Sequence, residues 1–199
     1  MSALTAIYNS LPSVEKANAR FDDREAMLQK LAPLLAKYDN QFGVCLVHAH
    51  CAIEDGEKMI ARGNVSEPLR DTPCYPERWL ATGEPYEFNS EPTKTPPPEL
   101  FDAFRAAIGD LGVLGLFYIG KLADGILLEW TEGRKNITEL RKPEELAGGE
   151  DIQTAWLPSQ DGPGSTVFGA CRTMCRMDGR GNHLGREHYV HRDSELDSA

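Results

Sequence analysis

The sequence predicts an α+β fold: a single domain built mainly on an antiparallel sheet, with two packing helices and a small Cys/His-containing C-terminal appendage. Three observations point there. Residues 42–51, FGVCLVHAHC, read as a strand that is apolar on both faces and ends in two imidazoles. Residues 22–38 carry an apolar stripe at helical spacing. Asp-Gly pairs at 55–56 and 124–125 sit between short apolar runs, as hairpin turns do.

A chain of 199 residues can bury a core, and its 41% hydrophobic and 26% charged fractions belong to a folded chain. The formal net charge of −10 opposes binding to nucleic acid or an anionic membrane, both of which are polyanionic. The longest apolar stretch, 111–128, is broken by Lys121 and Asp124, so no membrane span is expected. Residues 1–13 lack a basic segment followed by an apolar run, which leads to the expectation of a cytoplasmic location. In that compartment the five cysteines are expected to be thiols or ligands. The expected organisation is a core domain over 1–170, a metal-binding appendage over 171–192 and a mobile acidic tail over 193–199.

Taken in order, the first twenty residues give only a short helical turn after Pro12. Met27, Leu31, Leu34 and Tyr38 then recur at steps of four, three and four, which predicts a helix from Asp22 to Tyr38 packed on the sheet. The His strand follows, and Asp55-Gly56 predicts a hairpin behind it. Residues 62–98 contain Pro68, Pro73, Pro76, Pro85, Pro92 and Pro96–Pro98, and read as a long covering loop. A second helix opens at the prolines, buries Phe101, Phe104 and Ile108, and stops at Gly109. Residues 113–119 and 126–131 read as a hairpin turning at Asp124-Gly125. Residues 132–150 read as a charged loop, and Trp156-Leu157 and 167–170 as short strands around a Gly-Pro turn.

Chemistry concentrates in two groups. All five histidines fall at His48/His50 or at His183/His188/His191, the latter behind Cys171 and Cys175. Imidazole and thiolate are the preferred donors for zinc. His48, His50, Cys171, Cys175, His183 and His188 are therefore the candidate ligands, in one shared site or two. Glu54 and Glu57 are the candidate acid/base residues, with Glu129 a third carboxylate that either joins the site or faces water on an edge strand. Cys51 beside His50 is a poor nucleophile candidate, because neighbours on a strand point to opposite faces.

Gly43-x4-His48-x-His50-x3-Glu54 is similar to the first motif of the cupins, which ends in His-x-His, a short spacer and Glu. That resemblance implies His48, His50 and Glu54 as three ligands facing into a small β-barrel. It covers about a dozen residues, departs in the spacing from Gly43 and to Gly63, and lacks the second cupin motif, so the chain is not assigned to that family. The reading reached is a metal-binding protein of unknown substrate, with a transition ion, zinc first, as cofactor. The alternatives are a metal-dependent enzyme acting on a small molecule through His48 and His50, and a metal-free interaction domain.

Overall fold

A computed structural model describes residues 2–120, 124–145, 151–158, 165–172, 174–177 and 183–187; of residues 165, 174–177 and 183–187 the backbone alone is described. Ten strands close into a barrel: β1 (Phe42–Leu46), β2 (Lys58–Arg62), β3 (Val65–Leu69), β4 (Tyr75–Leu80), β5 (Pro85–Asn89), β6 (Leu114–Tyr118), β7 (Ile126–Glu132), β8 (Lys135–Arg141), β9 (Asp151–Pro158) and β10 (Ser165–Arg172). Their order around the barrel is β1-β6-β4-β5-β2-β3-β8-β7-β10-β9, and β9 pairs back to β1. The pairs β2–β5 and β7–β10 are parallel and the rest antiparallel, so the barrel is mixed. Closure leaves no strand edge open in this sheet.

This corrects the expected α+β fold. The decisive segment is 62–98, expected as a covering loop, which supplies three barrel strands instead. Its prolines sit where a strand can do without an N–H. Pro85 is the first residue of β5, and Pro76 borders a register shift between β4 and β5. Pro68 lies beyond Val65 and Ser66, the residues β3 pairs with β8. Two hairpins were also misplaced. β2 and β3 turn at Gly63, which has φ +61°, and β7 and β8 turn at Gly133, also at +61°. The Asp55-Gly56 turn forms, with Gly56 at φ +80°, but it precedes β2 rather than joining two paired strands. Strands β6 and β7 do not pair with each other: β6 lies between β1 and β4, and β7 between β8 and β10.

Four helices accompany the barrel among the described residues: α1 (Ala3–Asn9), α2 (Val14–Asn18), α3 (Arg24–Ala36) and α4 (Pro98–Ile108). Helix α3 buries Leu28, Leu31, Ala32 and Leu35, so its inner face is centred slightly off the expected stripe, with Met27, Leu34 and Tyr38 at its margin. Helix α4 buries Leu100, Phe104 and Ile108 and ends at Gly109, whose φ of +60° suits glycine. These helices cover one face of β1 through Phe42, Val44 and Leu46. The other face, Cys45 and Val47, packs with Met59, Tyr86 and Phe117. Strand β1 is thus buried throughout, as its sequence implied. Gly43 lies opposite Phe117, whose ring occupies the space a Cβ would need, only 2.3 Å from that position.

Helix α1 is fastened to the segment after β1. The Asn9 amide donates to Ile53 O at 2.7 Å and accepts from Ile53 N at 2.9 Å, and Tyr8 Oη accepts from His50 N at 3.2 Å. In the expected appendage, β11 (Met174–Met177) and β12 (His183–Glu187) form a two-stranded antiparallel sheet outside the barrel sheet. No helix among the described residues is long and apolar enough to cross a membrane.

Candidate metal centre

Strand β1 ends at Leu46, and the chain turns so that both imidazoles are buried, His48 at 1% exposure and His50 at 0%. Their ring centroids are 4.7 Å apart. His48 Nδ1 lies 2.7 Å from Leu46 O. A carbonyl only accepts, so Nδ1 carries the proton and Nε2 presents its lone pair, the tautomer a metal-binding imidazole needs. Burial, and then the neighbouring His50, depress the His48 pKa to about 4, so the ring is neutral near pH 7.

Cys171 reaches the same point from β10. Its Sγ is 3.2 Å from His48 Nε2 and 2.7 Å from Glu129 Oε1. One ligand atom each from His48, His50 and Cys171 lies within 4.8 Å of the others, all three side chains being buried. The parallel register of β7 and β10 sets Cys171 directly beside Glu129. Burial, and then the Glu129 charge, push the Cys171 thiol well above its usual range. The thiol is therefore protonated here and would need a cation to ionise.

Glu129 is the hub of the polar groups. It accepts from Asn136 Nδ2 at 3.0 Å and from Thr154 Oγ1 at 3.1 Å, and lies 3.9 Å from both His50 Nε2 and Arg78. Burial opposes its ionisation, but His50 and Arg78 outweigh that and hold the carboxyl well below the usual carboxylate range. Glu87 is comparable: Arg78 Nε donates to Oε2 at 3.2 Å, and Oε1 lies 3.4 Å from His50 Nε2. Arg78 and, less strongly, His50 lower its pKa against the cost of burial. Two carboxylates and one guanidinium thus share the interior with two imidazoles and a thiol.

Glu129, Glu87, Arg78, Asn136 and Thr154 also line a cavity of about 920 Å³ in the barrel lumen, together with Phe117, Tyr118, Leu127 and Phe168. Its rim includes Gly63, Asn64, Glu91 and the half-exposed Leu140. Glu129, which accepts from Cys171 and lines the cavity, therefore lies between the metal-ligand group and the cavity.

Of the residues chosen from sequence, His48, His50 and Cys171 come together. Glu54 is exposed and paired to Arg70 at 2.6 Å. Glu57 is buried; it bonds Arg134 and accepts from Glu54 N at 2.7 Å. Both are tied into the ion pairs ahead of β2. Cys175 and His183 lie on β11 and β12, where only the backbone is described, and His188 lies outside the described residues. Glu129 faces the interior rather than water. Sequence reasoning missed Arg78, Glu87 and Asn136. A signal existed for Glu87, a carboxylate flanked by Tyr86 and Phe88, but the surrounding prolines hid the strand. Asn136 heads the sequence Asn-Ile-Thr, yet its amide is 3% exposed and bonded to Glu129.

Fold and site together define a closed mixed β-barrel with a buried His/His/Cys group beside two carboxylates. Comparison with protein-family models, with curated proteins and with solved structures finds no match.

Proposed function

We propose that this protein is a metal-binding barrel in which His48, His50 and Cys171 hold one transition ion, zinc first. The observation that carries the reading is the convergence of two buried imidazoles and a buried thiol, from the two ends of the chain, within 4.8 Å. The donor set is the nitrogen and sulfur mixture that zinc prefers. Charge supports the reading as well. Two buried carboxylates, Glu87 and Glu129, face the single guanidinium of Arg78, and a divalent ion bound with loss of the thiol proton would add one positive charge beside them. Buried carboxylates are costly without a nearby cation, so that added charge favours uptake of the ion.

One observation favours a second, finer reading, a metal-dependent enzyme acting on a small molecule. Glu129 touches Cys171 on one side and lines the cavity on the other. A carboxylate between an ion and a substrate space can carry a proton, the role first assigned to Glu54 and Glu57.

Elemental analysis of purified protein tests the metal reading. One equivalent of zinc or another transition ion is expected, reduced at least tenfold in the double variant His48→Ala/His50→Ala and in Cys171→Ser. Cobalt(II) added to stripped protein should give thiolate-to-metal absorption that disappears in Cys171→Ser. Folded protein that neither carries an ion nor takes up zinc or cobalt would refute the proposal.

A further inference from the structure

The lumen has features that the metal group does not use. Strand β4 has a register shift between Pro76 and Arg78, and two consecutive residues, Glu77 and Arg78, both line the cavity. In a regular strand neighbours face opposite sides; a bulge lets both face inward, a device common beside binding sites. The added side chain is a carboxylate. Asn89 Nδ2 donates to it at 2.7 Å, while the adjacent Arg78 bonds Glu87. The described lining holds four carboxylates, Glu77, Glu87, Glu91 and Glu129, against one guanidinium.

Hydrogen bonding points the same way. Asn136 is 3% exposed and lines the cavity. Glu129 can only accept, so Asn136 must turn its NH2 to it, which fixes the position of the carbonyl oxygen. That Oδ1 is buried and accepts no hydrogen bond among the described residues. A buried acceptor left in this state is unfavourable, so a ligand bringing an N–H there would gain by satisfying it. The apolar wall is aromatic, with Phe117 and Phe168 stacked at 5.3 Å and Tyr118 nearby. A volume of about 920 Å³ suits a small organic molecule.

We infer that the barrel lumen binds a small organic cation, an amidinium or protonated amine on an aromatic or similarly apolar body, with Glu77 as its counter-charge. The cation answers the excess of carboxylates, its N–H groups suit the acceptor oxygens of Glu77 and Asn136, and its body lies against aromatic rings that attract cations. Burial raises the Glu77 pKa despite Asn89 and Arg78, so a bound cation would also hold that carboxyl ionised. The inference does not depend on the metal reading.

Benzamidinium, benzamide and benzoate are nearly isosteric and differ in charge, and a protonated amidine has no lone pair to offer a metal. Binding of each is measured by calorimetry and by NMR shift changes on the full chain, both metal-loaded and chelator-treated. Benzamidinium is expected to bind at least tenfold more tightly than benzamide or benzoate in both preparations, and Glu77→Gln to weaken it about tenfold. Equal or tighter binding of benzoate would assign the lumen to anions through Arg78 and overturn the inference. No benzamidinium binding at millimolar concentration, or unchanged affinity in folded Glu77→Gln, would overturn it too. The charge series is read on the unaltered protein, so it decides the matter even if the variant does not fold. Cation binding that persists in chelator-treated protein, or in protein that never carries an ion, separates this outcome from that of the metal reading.

Discussion

Acidification should destabilise the metal-free protein through His48. In the folded chain the pKa of this ring falls from an ordinary 6.5 to about 4, because burial and then His50 disfavour its charged form. Between those values the unfolded chain binds a proton that the folded chain does not. The stabilisation is therefore complete above pH 6.5, is lost as pH falls toward 4, and changes no further below that. At ~1.4 kcal/mol per pH unit the loss amounts to about 3 kcal/mol, a large share of a domain's stability. The assay is urea denaturation of chelator-treated protein from pH 7.5 to 3.5, run beside His48→Gln. Glutamine can keep a hydrogen bond to Leu46 O but does not titrate. Carboxylates common to both proteins cancel in the difference, so the gap between the two curves should close by about 3 kcal/mol on acidification. Parallel curves would mean that the imidazole is not held neutral by its burial, and the account of the site electrostatics would fail.

Three other perturbations test separate parts of the architecture. Arg78→Met leaves Glu87 and Glu129 buried without their shared cation and should cost about 3–5 kcal/mol in urea denaturation; a loss below 1 kcal/mol would mean that the ion pairs are hydrated. Gly43→Ala puts a methyl group where the Phe117 ring sits and should cost roughly 1–3 kcal/mol, a loss recovered in part by adding Phe117→Leu. Asn9→Ala removes two hydrogen bonds to Ile53 and should cost about 1–3 kcal/mol, with faster amide exchange at Ile53 and His50 as α1 loosens; unchanged exchange would detach α1 from the turn after β1.

What the sequence made legible follows from how local each signal is. A doubly apolar β1 followed by His-x-His is visible in ten residues, and the chemistry of Cys171 needs no neighbours to be noticed. Helix α4 has its proline start, apolar spacing and glycine stop within twelve residues. The barrel is a different matter, since closure depends on which strands pair, and β2–β5 and β7–β10 are parallel pairs whose partners are distant in sequence. The prolines of β3, β4 and β5 carried the wrong weight because a proline's meaning in a strand depends on its neighbour: Pro76 at a bulge and Pro85 at a strand start are tolerated, but neither position shows in the sequence. Glu129 was ambiguous for the same reason. A carboxylate in an apolar strand is ordinary at an edge; only closure, which brings Arg78 and Asn136 to it, makes burial affordable.

The site residues can be traced stave by stave. In barrel order the end of β1 brings His48 and His50, β9 brings Thr154, β10 brings Cys171, β7 brings Glu129 and β8 brings Asn136, five neighbouring strands in succession. Arg78 and Glu87 come from β4 and β5, which pair with none of those staves: β4 reaches β1 through β6, and β5 reaches β8 through β2 and β3. An open sheet would hold the thiol, hydroxyl and amide near Glu129, yet it would leave that carboxylate without Arg78 and His50 without Glu87. The buried carboxylates therefore gain Arg78 as their cation only after the ring is complete. Binding of a metal ion by His48, His50 and Cys171 should accordingly be linked to closure, with the ion raising the unfolding midpoint of the whole barrel rather than ordering one strand end. Thermal unfolding followed by amide exchange in β3, which supplies none of the three ligands, distinguishes the two: zinc should slow exchange there as much as at His48, and protection confined to β1 and β10 would refute the linkage.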